Sequence, residues 1–271
     1  MASPLRSDAG RATLEVRPIA SLAEYRACVK LQADVWGDGF ECVPANLLQV
    51  ATHVGGVCLG AFRPDGELCG LVFGLSGVQD GTPTHWSHLL AVRESARNLG
   101  VGRLLKERQR DLLASRGIPE MRWSFDPMIV KNAHLNLNRL GARVVRYVPN
   151  MYGITDSPLH HGLATDRLVV AWSTARTPAG MSMNISPAPV LSAEPQQDDD
   201  QLELGDRRPP TVWIEVPSDF QELLALSPRA ATTWHAAVRM HFLWALDNGY
   251  TVTGLHREPR SSRSFYVLEM R

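Results

Sequence analysis

What most restricts the fold of this chain is the order of its apolar runs, helix-length stretches and turn signals between Thr13 and Trp172. Thr13 to Arg17 (TLEVR) alternates apolar and polar residues and predicts a strand. Ser21 followed by Glu24 has the spacing of a capping box and predicts a helix ended by Gly37. Val54 to Phe62 and Glu67 to Ser76 flank the turn signal Arg63-Pro64-Asp65-Gly66 and predict an antiparallel hairpin. Thr84 to Val92 (THWSHLLAV) predicts a further strand, Gly100 to Arg116 a helix, and Glu120 to Phe125 (EMRWSF) a strand. A short helix over Asn132 to Leu140 and strands over Ala142 to Val148 and Arg167 to Trp172 complete the series. This order predicts an α+β or α/β domain built on a mixed sheet.

The remaining chain divides by composition. Residues 1–12 read as a disordered N-terminus and 13–176 as the main domain. Residues 177–210, rich in proline and holding a QQDDD run, read as a flexible linker. Residues 211–271 read as a C-terminal α/β extension. In it, Ser227 and Pro228 open a long helix with Trp234, Val238, Phe242 and Ala245 on one face, followed by a hairpin. The extension is short for an independent fold. It is expected to pack on the main domain or on a partner subunit in a homodimer.

Charge and cysteine content bound the function classes. Lys+Arg 28 against Asp+Glu 28 leaves no global field for nucleic acid or an anionic membrane. No apolar run has the length of a membrane span. The sequence MASPLRSDAGRA has no apolar signal-peptide core, which makes cytoplasm the expected compartment. Cys28, Cys42, Cys58 and Cys69 have no zinc-ligand spacing and are expected to be reduced thiols; no metal is implied.

The stretch RNLGVGRLLKERQR, Arg97 to Arg110, carries the strongest hint of chemistry. The first turn of a helix has N–H groups without intrahelical partners, and the helix dipole adds positive potential there. Gly100 and Gly102 remove side chains that would keep an anion away, so a phosphate or pyrophosphate fits. Between Arg97 and Arg116 six basic residues face two acidic ones, a local excess of +4 in a neutral chain. On a helical wheel Arg103, Lys106 and Arg110 share one face, Val101, Leu105 and Leu112 lie opposite, and Arg108 falls inside the apolar stripe. The stretch is neither a Walker loop, having no GK followed by Ser or Thr, nor a G-x-G-x-x-G fingerprint, having Leu105 at the third glycine. A plain glycine turn before a solvated basic helix explains the residues equally well.

R-N-L-G-V-G resembles the Q/R-x-x-G-x-G/A signature of the GNAT superfamily of acyl-CoA N-acyltransferases. The surrounding order of elements, the HLLAV strand and the short helix ending LGA are similar too. HWSHLLAV, WSFDP, NAHLNLNRLGA and YVPNMYG look like a subgroup with a C-terminal extension. The resemblance covers roughly residues 13–172. It implies an α/β fold with a mixed, mostly antiparallel sheet flanked by helices. It also implies that acyl-CoA, an acetyl or another CoA thioester, lies in an opening between the fourth and fifth strands. The backbone of Leu99, Gly100, Val101, Gly102 and Arg103, with Arg97 and Asn98, would hold the pyrophosphate. Leu90, Ala91 and Val92 would bond the pantetheine arm as an added strand, and Asn132 and Asn136 could reach it.

In that setting a primary amine attacks the thioester, and a base must take its proton. His88 is the favoured base; a packed, hydrogen-bonded histidine is the duller reading. The family often places a tyrosine acid where this chain has Leu137, so Tyr152 is the nearest replacement. Asp126 could bind the ammonium or act as base, or simply shape a turn. Trp36, Trp123 and Arg167 could line the acceptor pocket, with Arg167 suited to a carboxylate. The expected activity is N-acylation of a small amine such as an amino acid. The alternatives are a non-catalytic acyl-CoA-binding protein and an acyltransferase using aminoacyl-tRNA.

Overall fold

The computed structural model describes residues 14–37, 40–154, 162–175, 185–193, 208–258 and 263–271. The N-terminal 1–12 stretch and most of 177–210 lie outside the described residues. The chain divides into two compact units, with the boundary between Ile118 and Pro119.

The first unit is an antiparallel sheet in which β1 (Glu15–Pro18), β2 (Val57–Phe62), β3 (Leu68–Gln79) and β4 (Thr82–Val92) pair in sequence order. With it pack α1 (Leu22–Trp36), α2 (Ala45–His53) and α3 (Val101–Ser115). The capping box of α1 forms as the spacing predicts: Glu24 N donates to Ser21 Oγ at 3.2 Å, and Ser21 N donates to Glu24 Oε2 at 3.4 Å. Gly37 ends α1 at φ 80, a conformation that favours glycine. Tyr25, Cys28 and Leu31 turn inward onto Leu48, Cys58, Leu71 and Phe73 to form the core. Gln32 enters this core because its amide bonds both the N–H and the C=O of Val43, so no buried polar atom is wasted. Between α1 and β2, α2 buries Leu48 and Ala51.

The β3–β4 register shifts between Phe73, opposite Leu89, and Gly74, opposite Ser87. His88 is therefore the extra residue of a β-bulge. Only a residue without a side chain fits at Gly74, because a Cβ there would stand 2.2 Å from His85 Nε2.

The second unit starts with an antiparallel three-stranded sheet, in which β7 (Arg167–Ser173) lies between β5 (Glu120–Phe125) and β6 (Arg143–Val148). The short helix predicted at Asn132 to Leu140 begins earlier, as one α-turn, α4 (Val130–Ala133). It continues as a π-helical turn over His134–Arg139. A second sheet runs β10 (Tyr250–Arg257), β11 (Arg263–Met270), β9 (Thr211–Pro217), β8 (Val190–Leu191). The two-residue strand β8, parallel to β9, falls inside the stretch read as linker: Val190 and Leu191 are its apolar residues, and Leu191 is buried. Before the long helix α6 (Pro228–Asp247) stands a helix the sequence reading omitted, α5 (Phe220–Leu226), capped by Asp219, which accepts from Glu222 N. The expected α6 face is buried: Trp234, Val238, Phe242 and Ala245 all point inward.

This extension docks on the first part of the same unit. Asn138 pairs with both backbone groups of Leu255, at 2.8 and 3.0 Å. Tyr266 Oη donates to the carbonyl of Pro127 at 2.8 Å, and the rings of Tyr147 and Phe242 stack at 5.3 Å. The fold is mixed α/β with mostly antiparallel sheets flanked by helices.

Candidate active site

In the first unit the end of β4 leads through a 3₁₀ turn, Glu94–Ala96, into the glycine loop. Asn98 takes φ 64 and Gly100 takes φ 79, two left-handed residues that swing the chain into α3. Gly100 is the N-cap of α3 and has no side chain with which to cap the first-turn N–H groups of that helix. A Cβ on Gly100 would meet nothing within 4 Å, so its role is conformational and the loop surface is open. Leu99 and Arg103 are exposed, and Arg103 pairs with Glu107 at 2.8 Å. Leu90, Ala91 and Val92 pair with Val72, Leu71 and Gly70 of β3. Leu90 to Val92 thus lie at the end of β4, Arg97 to Gly100 in the loop that follows, and Val101 to Arg103 in the first turn of α3.

The helical-wheel reading of α3 needs correction. Lys106 is not on the solvent face; it is buried with Val101, Leu105, Gln109 and Leu113, whereas Arg108 is exposed. The reason is a polar chain under β4. Lys106 Nζ donates to Ser87 Oγ (2.8 Å), Ser87 Oγ donates to Gln109 Oε1 (2.7 Å), Gln109 Nε2 meets His85 Nε2 (3.0 Å), and His85 Nδ1 meets Ser76 Oγ (2.9 Å). With the Gln109 amide donating, His85 carries its proton on Nδ1 and donates to Ser76. Burial, with Lys106 and Arg116 nearby, holds the His85 pKa down at about 4. Burial likewise pulls the Lys106 ammonium well below its ordinary pKa.

His88, on the bulge, is exposed to solvent and packs edge-on against Phe73, with ring centroids 6.3 Å apart. Desolvation of the ring lowers its pKa below the usual imidazole value, which favours the neutral, proton-accepting form. Trp36 lies 4.5 Å from Phe40, centroid to centroid, and packs against the core of this unit.

In the second unit three residues singled out from sequence converge. Arg167 Nη1 lies 3.5 Å from Asp126 Oδ2, and the Arg167 guanidinium stands 5.6 Å from the ring centre of Tyr152. Asp126 also accepts from Met128 N at 2.8 Å, so it shapes its turn while facing a cation. Tyr152 is exposed, and its hydroxyl shares a 3.0 Å hydrogen bond with Ser124 Oγ. Ser124 was missed, although the alternation of EMRWSF already separates it from Trp123 and Phe125, which are buried. Asp166, equally unnoticed, is buried and directly precedes Arg167 in the chain.

Trp123 and Asn136 lie away from this cluster. Trp123 is a core residue, edge-on to Trp172 and donating through Nε1 to Asn136 Oδ1 at 3.1 Å. Asn136 is thereby committed to the core while Asn132 is exposed, so the two do not reach toward one ligand together. Leu137 is buried, as an apolar residue at that position should be. Among the described residues no cluster of three metal-ligating side chains occurs, and no helix is long and apolar enough to cross a membrane.

No protein-family model matches the chain, and no curated protein matches it. Solved structures do. A candidate acetyltransferase from Acinetobacter baylyi ADP1 is similar with a TM-score of 0.50 at 13% identity, over 64% of this chain and 98% of its own. The ribosomal-protein-S18-alanine N-acetyltransferase from Escherichia coli gives 0.49 at 15% identity, over 63% and 99%. A candidate acetyltransferase from Salmonella typhimurium, solved with its cofactor acetyl-CoA, gives 0.47 at 19% identity, over 61% and 96%. With the left-handed Gly100 opening α3 and the bulge in β4 already in place, the first of these likenesses settles the architecture: the chain has the fold of the GNAT acyltransferases.

Proposed function

We propose that this protein is an acyl-CoA-dependent N-acyltransferase that moves an acetyl, succinyl or related acyl group onto the amine of a small metabolite such as an amino acid. The observation that carries the reading is the start of α3. There a left-handed glycine, with no side chain of its own to cap the helix, leaves room for an anion at the first-turn N–H groups, and a pyrophosphate is the anion a CoA thioester brings. Leu90 to Val92 would bond the pantetheine arm, and the loop from Arg97 to Arg103 the pyrophosphate.

The chemistry then follows from the groups available. The amine must be neutral to attack the thioester carbonyl; His88, whose pKa is lowered by desolvation toward the proton-accepting form, takes the proton as the C–N bond forms. Collapse of the tetrahedral intermediate breaks the C–S bond, and the thiolate takes a proton from an acid, for which Tyr152 is the candidate. Asp126 and Arg167, one anionic and one cationic group in contact, suit an acceptor that carries both an ammonium and a carboxylate.

Isothermal titration with CoA and acetyl-CoA tests the donor. Micromolar binding of either supports the reading, and no binding of either at millimolar concentration would sink it. The second reading, a non-catalytic acyl-CoA-binding protein, is favoured by one observation: apolar Leu137 stands buried where the family often has its acid. Turnover of any acyl-CoA over a panel of amino acids and polyamines would eliminate it.

A further inference from the structure

We infer that Arg239, on α6 of the C-terminal extension, is a positioning residue for acyl transfer: it fixes the Asp166 carboxylate and, through it, both Tyr152 and Arg167. The inference rests on the acyltransferase reading.

Asp166 is the point where three parts of the second unit meet. Its side chain is 1% exposed, and four donors converge on its two oxygens. Oδ1 accepts from Arg239 Nη2 at 2.6 Å and from Asn150 N at 2.9 Å. Oδ2 accepts from Arg239 Nε at 2.7 Å and from the Tyr147 hydroxyl at 2.5 Å. His235, from the same helix as Arg239, stands 3.7 Å from Oδ2. Burial alone would raise the pKa of Asp166; the bonds from Arg239, Tyr147 and Asn150 outweigh it and keep the group ionised. A bidentate guanidinium supplies charge and fixes orientation at once.

Two routes lead from this carboxylate to the candidate reacting groups. The first is the turn of Asn150, at φ 46, which carries Tyr152. Asn150 is held by Asp166 through its N–H. Its side chain in turn accepts from Thr165 N at 3.2 Å, and Thr165 Oγ1 accepts from Tyr152 N at 2.9 Å while donating to Gly153 O at 2.8 Å. The second route is the chain itself. Arg167 follows Asp166, and its Nη1 donates to the Asp166 carbonyl at 3.0 Å while facing Asp126. Removing Arg239 leaves a buried carboxylate without its main counter-charge, a state that relaxes by protonation or by drawing in another cation. Either way the Asn150 turn and Arg167 lose their fixed reference, and a displacement of about 1 Å at a reacting group is enough to cost roughly 100-fold in rate.

The experiment uses the full chain with Arg239→Lys, Arg239→Met and Arg239→Ala, acetyl-CoA and succinyl-CoA, and the amine panel. CoA affinity is expected to stay within about two-fold of the parent, because the glycine loop is untouched. The acceptor KM should rise or kcat fall by roughly 10- to 100-fold. Lysine should rescue little, since it keeps the charge and loses the fork. Guanidinium ion in the millimolar range should restore part of the activity of Arg239→Ala. As a readout independent of turnover, the Tyr152 resonance in 3-fluorotyrosine-labelled protein, assigned with Tyr152→Phe, should shift or broaden in all three variants. Folded variants with parental kcat, acceptor KM and Tyr152 resonance would overturn the inference while leaving acyl transfer intact. A parent that binds CoA yet acylates nothing would count against the acyltransferase reading, and the positioning role in acyl transfer would fall with it. If Arg239→Met does not fold, Arg239→Lys decides by the same three readings.

Discussion

Lys106 Nζ lies 2.8 Å from Ser87 Oγ, so a fully buried ammonium sits beneath the strand that carries the His88 bulge. Charge burial of this kind is expensive, and it lowers the pKa of the lysine in the folded state relative to the unfolded one. The unfolded chain holds its proton to higher pH than the folded one, so this group costs stability below the unfolded lysine value of about 10.4, and the cost fades as pH rises toward it. Lys106→Met should therefore unfold at higher urea concentration than the parent at pH 7, with the difference shrinking by pH 10. A less stable Lys106→Met at pH 7 would show instead that the polar chain to Ser87 outweighs the desolvation.

Gly74→Ala should be among the most damaging small substitutions in the first unit. The new methyl would stand 2.2 Å from His85 Nε2 and 2.6 Å from the carbonyl of Trp86, so either the ring or the backbone must move. Overpacking of this kind costs about 1–3 kcal/mol, more where backbone is the obstacle. Gly77→Ala is the control on the same strand: its Cβ would meet nothing within 4 Å. Equilibrium unfolding of the two variants checks the contrast; equal midpoints would mean that His85 moves aside freely.

Acid should weaken the fold before carboxylates titrate. His85 and His241 are buried, and burial holds each at a pKa of about 4. In the unfolded chain both protonate near 6.5, so between about 6.5 and 4 the unfolded state binds more protons and stability falls as pH falls. Each contributes on the order of 3 kcal/mol across that window. Urea midpoints measured from pH 7 to pH 4.5 should drop steadily, and His241→Leu should flatten the slope. It should also stabilise at pH 7, because His241 Nδ1 is buried with no hydrogen-bond partner among the described residues. A parental slope in that variant would place the effect on other groups.

The elements that were legible from sequence are those whose signals are local. The Ser21–Glu24 box, the Arg63–Gly66 turn and the apolar face of α6 each depend on residues within a turn or two of one another. Lys106 was misplaced because a helical wheel sorts side chains by polarity. It has no term for a serine on a neighbouring strand that gives a buried amine a partner. The π-turn at His134–Arg139 was hidden for a similar reason, since its sequence carries ordinary helix formers and the extra residue is set by packing. In the candidate site, Tyr152, Asp126 and Arg167 could be named from residue type and position. Their anchor could not: Asp166 and Arg239 are 73 residues apart, and only the folded chain joins them.

The glycine loop yields the sharpest functional prediction. Gly102 lies in the first turn of α3, next to the open N–H groups, and Gly100 is needed for its left-handed backbone. The two should fail differently. Gly100→Ala forces a φ near 79 on a residue with a Cβ, at a cost of about 1 kcal/mol in stability, with a smaller effect on CoA binding. Gly102→Phe leaves the helix in place and puts a ring where the pyrophosphate would approach, so CoA affinity should fall at least roughly ten-fold, which corresponds to about 1.4 kcal/mol. Calorimetric titration with CoA, run beside a urea unfolding curve for each variant, separates the two effects. Unchanged CoA affinity in a folded Gly102→Phe would move the donor away from this loop.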